Sequence, residues 1–259
     1  MFVESARPSV PKGTSRERDR EALALLAERT RPVAASQTRL LPVLAPLAGL
    51  FPDGGLRRGS TIVVSGATPG GSAGDGAVSL TLSLLAATST AGSWGAVVGL
   101  PGLGAMAAQD LGVELARLAV VPQPGVAWAE VTAALIDGLD AVVLCPPFAP
   151  RPTMARRLVA RVRERRSVLI VVPGRAGWPE HPDVHLRVSD MRWDGIGSGE
   201  GYLCRRRVTV TATGRRSAVR SRHHHLWLPS ATGEVTEAHD GSVVGLTVGA
   251  AVTRLARRP

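Results

Sequence analysis

From Ser60 onward the chain alternates short, wholly apolar runs with longer amphipathic stretches. The runs fall within 60–65, 94–99, 117–121, 140–145 and 167–172, segments of five or six residues with Val, Ile and Leu at their centres, which is the pattern of strands buried on both faces. Helical spacing fills the gaps, over about 76–90, 104–110, 127–137 and 153–166. Strand and helix in strict alternation predict a mostly parallel sheet covered on both sides, an α/β three-layer core. After Pro173–Pro182 the period shortens to two: Val184–Val188, Tyr202–Thr213 and Ser217–Leu228 read as antiparallel strands, with Thr213–Arg216 as a hairpin turn.

Upstream, Thr14 and Glu17 form a capping box for a helix through Leu23, Leu25 and Leu26 to about Thr30, stopped by Arg31-Pro32. Its apolar patch is short, which suits docking, on its own domain or on a partner. The expected organisation is a disordered 1–13, an N-terminal helix and linker over 14–39, a core over 40–228 and a tail over 229–259. Leu246, Val252 and Leu255 give the tail a second candidate docking surface, with self-packing the alternative.

At 44% apolar content, 259 residues suffice for one substantial core. No 18-residue apolar span and no leader pattern is present, so a cytoplasmic location is expected, with nucleoid association a further expectation. Cys145 and Cys204 have no metal-binding or disulfide spacing. The net charge of +10 is uneven. Residues 1–150 carry ten arginines and one lysine against twelve acids, whereas 151–222 carry seventeen arginines against six acids. A basic segment on a neutral body points to an anionic partner, either nucleic acid or an acidic protein surface. Alternation in Leu203–Thr213 puts Arg205 and Arg207 on one face, with Arg206, Val208 and Val210 on the other. Together with Arg215, Arg216, Arg220 and Arg222 they form a candidate cationic strip for DNA or an acidic partner, with plain solvation the alternative. The arginines of 153–166 read as the solvated face of a covering helix. In His223-His224-His225 only the first and third share a strand face and no third ligand is near, so no zinc site is expected.

The candidate chemistry lies after the first core strand. Ser60–Ser65 runs into Gly66-Ala-Thr-Pro-Gly-Gly-Ser-Ala-Gly-Asp-Gly76 and then an apolar helix, the strand–loop–helix context of a phosphate cradle. The only lysine of the chain is Lys12, so none can reach a phosphate from this loop. With Gly76 as the last loop glycine, Ala77 and Val78 stand where a lysine and a magnesium-binding hydroxyl belong; with Gly71, Ser72 and Ala73 do. Gly66, Gly70, Gly71, Gly74 and Gly76 thus read as a vestigial phosphate loop with weak nucleotide binding or none, or as a plain flexible connection. Neither a nucleophile elbow nor a carboxylate pair offers other catalysis.

The landmarks, in their order, resemble the core of the RecA recombinase family over roughly residues 14–228: Gly54-Gly-Leu-Arg-Arg-Gly-Ser-Thr-Ile-Val-Val-Ser-Gly66, then Ser79–Leu82, Leu111–Pro124 and Leu139–Leu144. That resemblance implies a metal-organising acid where Cys145 stands, a general base near Leu100-Pro101-Gly102, and a sensing Gln where Pro173-Gly174 stands. All are absent, as is the lysine, which implies a non-enzymatic descendant without cofactor or metal. The family's DNA-binding loops correspond to the proline-stiffened Cys145–Pro152 and Pro173–Asp183, the second with only Arg175 as a clear cation, so a recombination filament is not expected.

A RecA-like chain emptied in this way is similar to the actinobacterial ImuA-type accessory proteins of the DNA-damage mutasome, on Asp137–Leu144, Trp193-Asp-Gly-Ile-Gly, Leu203-Cys-Arg-Arg-Arg-Val and Leu226-Trp-Leu-Pro229. The likeness implies a non-catalytic adaptor in the SOS response and error-prone translesion synthesis. Its expected partner is an inactive Y-family polymerase-like protein, and through that the sliding clamp and an error-prone replicative-type polymerase. Rival expectations are a DNA-binding protein, a residual DNA-dependent ATPase using Arg57 or Arg58, and a cell-division inhibitor of the SulA type.

Overall fold

The computed structural model describes residues 39–66, 76–174, 177–196, 201–215 and 220–238. The expected N-terminal helix and the tail beyond Ala238 lie outside them. A two-residue ladder of β1 (Leu40–Leu41) with β2 (Leu56–Arg57) brackets the short helix α1 (Ala45–Ala48).

The core alternates β3 (Thr61–Ser65), α2 (Ala77–Thr90), β4 (Gly95–Val98), α3 (Ala105–Asp110), β5 (Leu118–Val121), α4 (Trp128–Gly138), β6 (Ala141–Leu144), α5 (Pro152–Arg165) and β7 (Val168–Val171). Four further strands follow: β8 (Val184–Ile196), β9 (Gly201–Gly214), β10 (Arg222–Trp227) and β11 (Thr236–Glu237). They join one nine-stranded sheet ordered β11-β10-β9-β8-β3-β7-β6-β4-β5, parallel from β8 to β5 and antiparallel from β8 to β11. This is the expected α/β, RecA-like three-layer core with antiparallel strands appended. The sheet runs past Leu228, since Val235 and Ala238 are buried beside β11.

The two faces are built differently. On one, α2 packs Leu80, Leu84 and Leu85 with α1 and α3 over Ile62, Val97, Ile170, Leu186, Val208 and Leu226. Helix α2 is buried nearly all round, and its hydroxyls bond back to carbonyls: Ser83 to Ser79, Ser89 to Ala86, and Thr88 across to Pro42. On the other, α4 and α5 press Trp128, Ile136, Leu158 and Val162 on Val63, Val98, Leu144 and Val171. Helix α5 opens with Pro152, which has no N–H to leave unpaired, and buries Ala155, Leu158, Val159 and Val162. Its Arg161 and Arg165 turn outward to Asp137 of α4, as a solvated face should. The covering helices stop there. Among the described residues, those of β8 to β10 on that side meet no helix core.

Candidate functional site

The carboxyl ends of β3, β4, β6 and β7 line up where an α/β sheet places its ligand. Ser65 ends β3, and Gly76, in the left-handed region at φ 78°, hands the chain into α2. The predicted strand and helix therefore flank the glycine-rich loop; Gly70, Gly71 and Gly74 lie outside the described residues. In the Gly76 register Ala77 and Val78 occupy the first turn of α2, and Ala77 is buried. Neither can pair with a phosphate or a metal.

A cation does reach this helix end, but from β9. Arg206 is 5% exposed. Its Nε donates to the Leu228 carbonyl at 2.6 Å and its Nη2 to Ser79 Oγ at 2.9 Å, while its guanidinium lies 5.1 Å from the Trp193 ring. A Cβ added to Gly76 would come within 3.8 Å of Nη2. Burial pulls the Arg206 pKa below its ordinary value. Alternation put Arg206 on the inward face of β9, yet nothing local said that it would meet a segment 127 residues earlier.

At the end of β6, the Cys145 N–H donates to Val98 O at 2.8 Å, and burial pushes the thiol up to about 12. Its carbonyl crowds Gly99, at φ 80°, where a Cβ would sit 2.0 Å from that oxygen. Leu100 packs against the core, and β7 leads into Pro173-Gly174. Between the proline loops lies an open space of about 220 Å³ lined by Pro146, Pro147, Phe148, Pro150, Gly174 and Gly177. Among the described residues at these four strand ends there is no carboxylate, amide or lysine. Arg57 and Arg58 lie at the opposite end of the sheet, before β3, where Arg58 pairs with buried Asp140 at 2.8 Å. β3, about 13 Å long, lies between them and Gly66.

Residues 49–180, just over half of the chain, match the family described as the MT3502 N-terminal domain. The chain belongs to that family. It is also 42% identical over 127 residues to the uncharacterized protein Rv3395c of Mycobacterium tuberculosis, across 47% of this chain and 62% of the relative. It thus spans less than two thirds of that relative's length. The MT3502 N-terminal domain match ends at Glu180, just before β8. The strand ends at Ser65, Leu100, Cys145 and Pro173 lie inside the family segment, whereas Arg206 and the antiparallel strands lie beyond it.

The expected cationic strip divides between two faces. Arg205 and Arg207 share a face as predicted; Arg205 bonds Asp194 at 3.0 Å and caps the Trp227 ring at 4.0 Å. Arg222 instead pairs with Ala212, a core residue, so it lies on the helix-covered face, opposite Arg205 and Arg207. The shift comes from register: β10 begins at Arg222, and its odd residues are the uncovered ones. Arg215 and Arg220 are exposed beside the β9–β10 turn, and Arg216 is outside the described residues, as are Arg175, Leu23, Leu25, Leu26, Leu246, Val252 and Leu255. His223 and His225 project on the uncovered face and bond Thr211 and Thr209, whereas the His224 ring packs against Gly49 on the other. Sequence reasoning missed His185 and Arg187, which share that face with them; the odd-numbered polar residues of Val184–Val188 were the available signal. No helix of the described residues is long and apolar enough to cross a membrane.

Proposed function

We propose that this protein is a non-catalytic adaptor of the DNA-damage mutasome, supporting error-prone translesion synthesis through protein–protein contacts in the cytoplasm and at the nucleoid. The observation that carries the reading is a RecA-like sheet whose ligand-facing strand ends hold Ala77, Leu100, Cys145 and Pro173 in place of phosphate, base and metal chemistry. Phosphoryl transfer needs charge neutralisation, metal and base together, so a scaffold without them is most useful as a surface. Arg206, bound to Ser79 and Leu228, supports the same reading, because it ties the vestigial loop's helix to the antiparallel strands.

The partner is an inactive Y-family polymerase-like protein, which brings the sliding clamp and an error-prone replicative-type polymerase. Leu23, Leu25 and Leu26 before the core, and Leu246, Val252 and Leu255 after it, are the docking candidates. The test is to tag the protein in its host, induce DNA damage and identify co-purifying proteins with and without nuclease. Retention of the polymerase-like protein after nuclease supports the adaptor. Its loss with nuclease, or filamentation on overexpression with no change in damage-induced mutagenesis, overturns it.

A further inference from the structure

The registers of β3, β8, β9 and β10 align the residues of the uncovered face in rows across the sheet. One row runs Ser65, Arg187, Thr211, His223; the next runs Ser189, Thr209, His225; on the other side His185 lies beside Thr213. These nine side chains include no carboxylate. The local bonds set the rings: Ser65 Oγ meets His185 Nε2 at 2.9 Å, Thr211 Oγ1 meets His223 Nδ1 at 3.0 Å, and Thr209 Oγ1 meets His225 Nδ1 at 3.1 Å. Arg187 is exposed at the centre, with no ion-pair partner among the described residues. Of the flanking acids, Asp194 pairs with Arg205 and Asp183 accepts the Thr61 N–H, while Asp190 accepts from Ser189 Oγ at the edge of the face with no ion pair among the described residues.

A polar outer face is ordinary for antiparallel strands, but one that sets an arginine without an ion pair among hydroxyls and imidazoles, with its one bonded carboxylate, Asp190, at the edge, is suited to an anion. Strands 4.8 Å apart place Arg187 and His223 about 10 Å from one another, and successive rows lie about 7 Å apart, so the block presents an area and not a point. Three features select the occupant. Protein interfaces concentrate aromatic and aliphatic anchors at their centre, and the nine positions have none. A single strand is held by base stacking, and the aromatic at the margin, Trp227, is already capped by Arg205. Arginine and hydroxyl donors spread over a surface match the dense phosphate charge of a duplex.

We propose that this face of β8, β9 and β10 binds the sugar–phosphate backbone of duplex DNA, with Arg187 at its centre and Thr209, Thr211, His223 and His225 around it. The inference does not depend on the adaptor reading. It is tested with the full chain by fluorescence anisotropy of a labelled DNA duplex of about 20 base pairs, titrated between about 50 and 200 mM salt. Binding falls with salt, and Arg187→Gln flattens the log–log slope by about 0.9, the value of one lost phosphate contact. The double variant His223→Gln/His225→Gln weakens binding at every salt concentration. Arg156→Gln on α5 leaves it unchanged, and circular dichroism confirms that each variant is folded. Absence of binding at about 50 mM salt, or an unchanged slope in Arg187→Gln, overturns the proposal. So does tighter binding of single-stranded DNA or duplex RNA, or capture of polyglutamate with duplex DNA left unbound.

Discussion

Replacing Asp140 by Asn tests how the sheet is tied together at the end remote from Gly66 and Gly76. Asp140 is 4% exposed, Oδ1 lies 2.8 Å from Arg58 Nη1, and Oδ2 accepts the Trp94 N–H at 3.0 Å. Its main chain bonds Trp94 O and accepts from Val168 N and Ser167 Oγ, so one residue joins the entries of β3, β4, β6 and β7. Asn keeps an acceptor for Trp94 but leaves the Arg58 charge nearly buried with no counter-ion. Breaking such a pair costs about 3–5 kcal/mol; the lower end applies here because the amide retains one hydrogen bond. At about 2–4 °C per kcal/mol for a chain of this size, 3 kcal/mol lowers Tm by about 6–12 °C. Removing the stranded charge with Arg58→Met in the same chain restores much of the loss. Urea unfolding followed by circular dichroism, with thermal melts beside it, measures all three proteins. A cost below about 1 kcal/mol for Asp140→Asn, or no recovery in the double variant, would refute the assignment of the pair as an anchor.

Three further outcomes follow from the same geometry. With its thiol pushed up to about 12, Cys145 stays unmodified by iodoacetamide at about pH 8 in the folded protein while Cys204 reacts; mass spectrometry finding equal labelling would contradict its burial. Burial, and then the nearby Arg187 charge, lowers the His185 pKa below its ordinary 6.5. The stability this contributes is complete above that value and is lost as pH falls through the lower folded value, so His185→Gln softens the acid-side decline in urea melts, and an unaltered decline counts against it. Gly99→Ala places a methyl 2.0 Å from the Cys145 carbonyl at φ 80° and lowers stability by about 2 kcal/mol or more, read as a shift in the urea midpoint; a shift under about 0.5 kcal/mol would show that the strand ends can separate.

The core was legible because buried parallel strands announce themselves. Val168–Val171 and Ala141–Leu144 are apolar throughout, and the helices between them carry a separate period, so boundaries fell within a residue or two. What escaped depends on register and on partners distant in sequence. The long β8 was expected only over Val184–Val188, because the bulge near Asp190, at φ 48°, interrupts its alternation before it resumes toward Ile196. β11 has two residues and exists only by pairing with Leu226 and Trp227. The residue types at Ala77 and Cys145 could be read without the fold, because they depend on identity alone. Arg222, His185 and Arg187 were not placed, since which face they share follows from the pairing of β8 with β3 and of β10 with β9.

The position of β3 also bears on how the chain reaches its native state. Thr61–Val63 pair with Leu169–Val171 and Ile62–Ser65 with Val184–Arg187, partners more than 100 residues downstream, while β4, β5 and β6 pair among themselves within about 50 residues. During synthesis at about 5–20 residues per second, β3 therefore spends about 5–20 s with both edges open before either neighbour emerges. The apolar Thr61–Val64 segment and the nearly all-buried α2 are exposed through that interval. Nascent chains halted before Val168 are accordingly the species that aggregate or engage chaperones, and release past Arg187 is the event that covers both edges of β3.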